Sequence, residues 1–294
     1  MTATHPGPAA FGLSRSARDV TGKIARLRTV EAGHGPTTLL LHDRLSSALE
    51  WDDVFDDLAG SGRVVAVDLP GHGASEKPAR RLFSYGFDAF SESIADVIAT
   101  LGPARVNVIG RGLGALVALT LAATHSALVD NLVLIAPDVF QPPRHWPARA
   151  ALWPVVGSVF YKQVVGRGLF VQQLRDAPGG SNGDNLARSM AQFAYFDTPE
   201  AREAAHATLV STRDTRPVIA RLGRVSARTL VVCGRLDRRV PLLDARRLAR
   251  ELPRGELEVL ECGHSPAEEL PAALSALIRG FLHAAGSPSP ARAR

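Results

Sequence analysis

The feature that most constrains this chain is a series of short apolar, β-branched runs separated by longer segments of helical period. TTLLL at 37–41, RVVAVD at 63–68, RVNVI at 105–109, NLVLIA at 131–136, TLVVC at 229–233 and LEVLE at 257–261 each fit one strand. Runs apolar nearly throughout, rather than alternating, belong to a parallel sheet covered on both faces. Helical patterns fall between them at 49–59, 86–101, 113–125, 243–252 and 267–283. Strand and helix in alternation predict an α/β protein with a doubly wound, mostly parallel sheet. Only the interval from about 138 to 222 breaks the rhythm, with helical and aromatic patterns and no strong strand.

Composition narrows the possibilities. With 294 residues, 46% of them hydrophobic, the chain can bury a full core without disulfide or metal staples. Its two cysteines, Cys233 and Cys262, form no CxxC pair and suggest a reducing interior or indifference to redox state. The longest apolar stretch, 113–123, is too short to span a bilayer, and the N-terminus lacks the pattern of a signal peptide. A cytoplasmic location is the expectation. The formal charge of +5 is carried almost wholly by arginine, scattered among acids instead of clustered with aromatics. That distribution describes a solvated surface and argues against nucleic-acid binding.

Chemistry-bearing residues concentrate in loops directly after the strands. These are His42-Asp43-Arg44, then Asp68-Leu69-Pro70-Gly71-His72-Gly73, then Gly110-Arg111-Gly112-Leu113-Gly114, then Gly234-Arg235-Leu236-Asp237, and finally Cys262-Gly263-His264-Ser265. Ligands of open α/β sheets bind at that edge. In order and spacing the five loops resemble the α/β-hydrolase fold family, of the capped, esterase- or lipase-like kind, over roughly 23–285. The resemblance implies a core of 21–137 and 223–285, a helical cap at 138–222, and flexible tails at 1–20 and 286–294.

The resemblance also implies roles. Asp237 matches the acid and His264 the base of a catalytic triad, in which the acid orients the imidazole and the imidazole takes a proton. The oxyanion hole would be the backbone N–H groups of Leu113 and Arg44. Two departures follow. The family elbow reads G-x-S-x-G, whereas this chain has Gly112 at the nucleophile position, so a serine ester cannot form there. Asp43 stands where the family commonly has glycine, and its carboxylate would repel an oxyanion unless Arg44 and Arg111 offset it. Ser46, Ser47, Cys262 and Asp43 are substitute nucleophiles by chemistry, but none occupies the elbow in the sequence. His42 and His72 read as loop supports without metal-ligand spacing. Trp153, Phe160 and Tyr161, with Trp146 and Phe170, either line a pocket under the cap or dock the cap on the sheet.

Three functional readings follow. The first is a non-covalent enzyme using a His264–Asp237 dyad to activate water or to drive elimination, isomerisation or ring closure on a small apolar or ester-like ligand. The second is a catalytically silent binding protein that keeps the pocket. The third is an ordinary serine hydrolase whose nucleophile was replaced. No cofactor or metal is implied. Gly110-x-Gly112-x-x-Ala115 also matches a dinucleotide fingerprint, but two strands precede it, and the acid after the next strand, Asp138, is 28 positions past Gly110.

Overall fold

The computed structural model describes residues 14–140 and 184–284. Its centre is an eight-stranded sheet in the order β1-β2-β4-β3-β5-β6-β7-β8. The strands are β1 (Ser16–Thr21), β2 (Arg26–Ala32), β3 (Thr37–Leu41), β4 (Arg63–Val67), β5 (Val106–Arg111), β6 (Val129–Ile135), β7 (Arg228–Gly234) and β8 (Gly255–Leu260). From β4 through β8 neighbouring strands run parallel, while β1 and β2 join antiparallel at one edge.

All five residues of β3 are buried. Leu39 and Leu41 enter one core and Leu40 the other, as the two-residue side-chain period requires. The first core is closed by α2 (Phe87–Leu101), α3 (Leu113–Thr124) and α7 (Leu242–Glu251). The second is closed by α1 (Asp52–Ala59), α8 (Pro266–Glu269) and α9 (Pro271–Ala284), with Trp51, Phe55, Ile278 and Phe281 among its residues. Helix α3 buries ten of its twelve residues, and an all-round apolar sequence such as LGALVALTLAAT is suited to that central place. Helix α2 ends at Gly102, whose φ of 87° is the left-handed conformation that closes helices.

Between β6 and β7 lie α4 (Asp184–Phe196), α5 (Pro199–Ser211) and the short α6 (Arg216–Ile219). Thr198 caps α5 through its side chain, and Pro199 takes the first turn, where its missing N–H costs nothing. Residues 141–183 fall outside the described residues, and with them Trp146, Trp153, Phe160, Tyr161 and Phe170.

Three expectations need correction. The stretch 16–20, expected in a flexible tail, belongs to β1, paired from Ser16 opposite Glu31 to Thr21 opposite Arg26. Exposed at every position but Val20, it has no continuous apolar run. β2 escaped notice for the same reason, because RLRTVEA intersperses charges along an edge region. The single helix expected over 267–283 is two, α8 and α9, separated at Leu270 ahead of Pro271.

Candidate functional site

The chain winds from β3 to β4 on one side of the sheet and then returns to place β5 on the other side of β3. This reversal is the topological switch point, where open α/β sheets form a crevice beyond the strand ends. The loops after β3 and β5 therefore lie side by side, with Leu41 paired to Gly110. Close approach is enforced by glycine. A Cβ on Gly114 would stand 2.1 Å from the Leu41 carbonyl oxygen, and one on Gly110 would stand 2.3 Å from the Gly114 carbonyl oxygen.

Gly112 forms the sharp turn into α3, with φ 49° and ψ −112°. The space beyond its Cα is filled by Asp43. A Cβ on Gly112 would lie 2.0 Å from Asp43 Oδ1 and 2.5 Å from Oδ2. That oxygen, Oδ1, accepts hydrogen bonds from the backbone N–H of Leu113 at 2.7 Å and of Arg44 at 2.6 Å. The two amides expected to hold an oxyanion are thus brought together, but the anion between them is the chain's own carboxylate. Among the described residues no donor bonds Oδ2.

The carboxylate is held ionised by its surroundings. Burial alone would raise its pKa, but the charges of Arg111, Arg44 and His264 and the Leu113 amide outweigh it and lower the value to about 2. Arg111 is buried and donates to Glu50 Oε1 at 2.8 Å and Ser265 Oγ at 2.7 Å. Burial opposes its charge, yet Glu50 and Asp43 keep its pKa raised. The Arg44 side chain turns to the Thr212 hydroxyl.

His264 Nδ1 donates to Asp237 Oδ2 at 2.8 Å, with both side chains nearly inaccessible. Asp237 Oδ1 accepts the amides of Arg239 and Val240. Burial pushes the Asp237 pKa up, but the bond to His264 and these amides prevail and lower it. The His264 loop is pinned by Glu269, which accepts the amides of Gly263 at 2.6 Å and Ser265 at 2.9 Å. This fixes one imidazole nitrogen as a donor to carboxylate and leaves Nε2 as the basic nitrogen.

The other candidates have structural partners. His42 donates from Nδ1 to the Asp43 carbonyl and accepts the Leu69 amide at Nε2. His72 Nδ1 lies 3.0 Å from the Pro70 carbonyl, and its pKa is pushed down to about 3, chiefly by burial. Ser46 Oγ accepts from Gln192, and Ser47 caps the turn at Leu49. Burial raises the Cys262 thiol to about 12, so it is protonated and a poor nucleophile at neutral pH. The expectation that no substitute group reaches the elbow is overturned for Asp43, because the elbow is reached through space from the neighbouring loop.

Glu50 was not named from sequence, and Asp68 and Asp138 were named there without the roles they take here. Glu50, 1% exposed, joins Arg111 to the Asp43 amide. Asp68 accepts the amides of Ala48 and Ala74, tying the loops after β3 and β4. Asp138, after β6, is a carboxyl raised to about 6 by burial, with Arg44 opposing and Asp43, Asp244 and Asp237 reinforcing. No group of three or more metal-ligating side chains occurs among the described residues, and no described helix is long and apolar enough to cross a membrane.

Comparison with known proteins agrees with the fold. A pimeloyl-[acyl-carrier protein] methyl ester esterase of Nitrosomonas europaea is 30% identical over 266 residues, covering 84% of this chain and 96% of the relative. An uncharacterized protein of Mycobacterium tuberculosis is 27% identical over 288 residues, 91% of this chain and 84% of the relative. The solved structure of 2-hydroxy-6-oxo-6-phenylhexa-2,4-dienoate hydrolase from Rhodococcus sp. strain RHA1 superposes with a TM-score of 0.79 at 22% identity, over 92% of this chain and all of that one. A family model described as the alpha/beta hydrolase fold matches residues 36–271. The chain belongs to the alpha/beta hydrolase fold family.

Proposed function

We propose that this chain is a hydrolase-fold enzyme that works without a serine acyl-enzyme, using His264 as general base and Asp237 as its orienting acid on a small apolar or ester-like ligand. Gly112 stands at the nucleophile position and has no side chain to acylate. The observation that carries the reading is the His264–Asp237 pair at 2.8 Å, fully formed beside a turn that offers no hydroxyl. An imidazole so oriented is suited to proton transfer at neutral pH. The esterase relative favours an ester-like or acyl ligand.

The test is hydrolysis of short and medium aryl esters with pre-steady-state sampling. The reading expects no acyl-enzyme burst, no labelling by a fluorophosphonate, and a slow turnover reduced at least ~10-fold by His264→Ala. A stoichiometric burst would remove the serine-free reading. Turnover indifferent to His264→Ala would remove the base. The occupied amide pair favours one second reading, ligand binding without turnover, for which binding of the same esters would persist in His264→Ala with no product formed.

A further inference from the structure

The sheet has a second concave end. Opposite the site described above, where β3 and β5 begin, the chain encloses a cavity of about 90 Å³, room for about three waters. Thr38 and Asn107, partners across the two strands, line it. The end of α1 adds Leu58, and the last turns of α9 add Arg279, Leu282 and His283. Among the described residues no carboxylate lines this cavity. Arg279 gives one N–H to the Asp57 carbonyl at a long 3.3 Å and makes no ion pair among the described residues. By contrast Arg228, which donates to the Phe281 carbonyl of the same helix, is held by Glu256. Asn107 Oδ1 accepts from Asn131, while Nδ2, which carries a pair of N–H groups, reaches only the Thr38 hydroxyl at 3.5 Å. His283 makes no hydrogen bond among the described residues. The lining is therefore rich in donors, lacks an acceptor anion, and sets a guanidinium beside apolar side chains.

We propose that this cavity is an accessory binding site for a short-chain carboxylate, separate from the His264–Asp237 site. The guanidinium of Arg279 holds the carboxylate, since its planar fork matches the geometry of that anion. Asn107 and Thr38 supply further donors, and Leu58 and Leu282 cover the alkyl tail. A single permanent cation suits a single negative charge, and the apolar side chains suit a few carbons. Both favour an acid of the size of acetate to butyrate over a phosphate dianion. The site stands at the other end of the strands that carry the first one. Thr38 and Asn107 precede Leu41 and Gly110 by three positions on β3 and β5, a distance of about 10 Å along a strand. A carboxylate has less reason to settle at the first site, where the amides of Leu113 and Arg44 already hold that of Asp43.

The proposal does not rest on the function proposed above, and its test needs no turnover. The full chain is dialysed to equilibrium against radiolabelled butyrate, with acetate, butyramide and inorganic phosphate as competitors. Wild type is expected to take up about one equivalent with a Kd on the order of 1 mM. Acetate competes, whereas butyramide, of the same shape without the charge, does not. Arg279→Gln is expected to weaken butyrate by ~10-fold or more, the worth of a charge-assisted hydrogen bond. Its urea midpoint stays at the wild-type value, because the side chain makes only the one long bond. Leu282→Ala is expected to weaken butyrate more than acetate, and His264→Ala to leave both unchanged. No saturable uptake below about 50 mM, or uptake indifferent to Arg279→Gln, overturns the proposal. Uptake lost in His264→Ala but kept in Arg279→Gln places the acid at the strand-end site and overturns it as well. Phosphate competing as well as acetate and butyrate overturns the carboxylate class.

Discussion

Two halves of one sheet edge treat a carboxylate in opposite ways. On the β7–β8 side, Asp237 faces an imidazole, and its second oxygen is tied to amides of its own loop. The carboxylate there serves another group. On the β3–β5 side, Asp43 makes no bond to an imidazole and accepts the amides of Leu113 and Arg44. The first half pairs a carboxylate with an imidazole, and the second sets a carboxylate from the loop after β3 against the glycine turn after β5. The lesson is that Asp43 and Gly112 are one feature. A side chain at 112 and a carboxylate at 43 claim the same volume.

Breaking that exclusion gives the largest expected effect. Gly112→Ser alone places a Cβ against Asp43 and leaves the amides occupied, so aryl-ester hydrolysis stays near background. Gly112→Ser with Asp43→Gly clears both obstacles and is expected to exceed either single variant by ~10³-fold or more, since a triad serine is worth ~10⁶-fold and one hole donor ~10²–10³-fold. Equal rates in the three variants would show that the two halves are not one potential site. Next, Glu50→Ala removes the buried partner of Arg111 and the acceptor of the Asp43 amide. Loss of one member of a buried ion pair costs about 3–5 kcal/mol, readable as a fall in the urea midpoint. A cost near zero would mean the pair does not support the Asp43 loop.

Smaller effects sharpen the contrast through pH. Asp43 titrates near 2 when folded against 3.8 when unfolded. Its contribution is fully present above about pH 4 and is lost as pH falls toward 2, amounting to about 2 kcal/mol. Asp43→Asn should flatten this part of the acid-unfolding curve. An unaltered slope would show that Asp43 is not held by the amides and arginines. Asp138 has the reverse sign. Burial raises it to about 6, so stability declines as pH rises from about 4 to 6 and the ionised group is a cost above that. Asp138→Asn is expected to stabilise the protein at pH 8 by about 1–2 kcal/mol and to change little at pH 4. Destabilisation at pH 8 would assign Asp138 an ion-pair role instead.

Much of this fold was legible because its signal is local. Each central parallel strand is a continuous apolar run, and each ends at a loop rich in Gly, His and Asp. The antiparallel strands β1 and β2 were not legible, since segments laced with Arg and acids have no such run. The Asp237 and His264 positions could be read from their loops. Glu50 could not, because a glutamate at the start of a helix is ordinarily solvated, and only packing of α1 beneath the Asp43 loop buries it.

The sequence by itself determined the strand order's raw material, the placement of reactive residues at strand ends, and the lack of a hydroxyl at position 112. Only the tertiary structure decided what replaces that hydroxyl. Asp43 and Gly112 are far apart in sequence, and the distance between them is set by the pairing of β3 with β5 and by glycines that let the two loops touch. A hydrogen bond acts over about 3 Å, so the identity of the anion between the Leu113 and Arg44 amides is a property of the packed sheet edge and of no single segment.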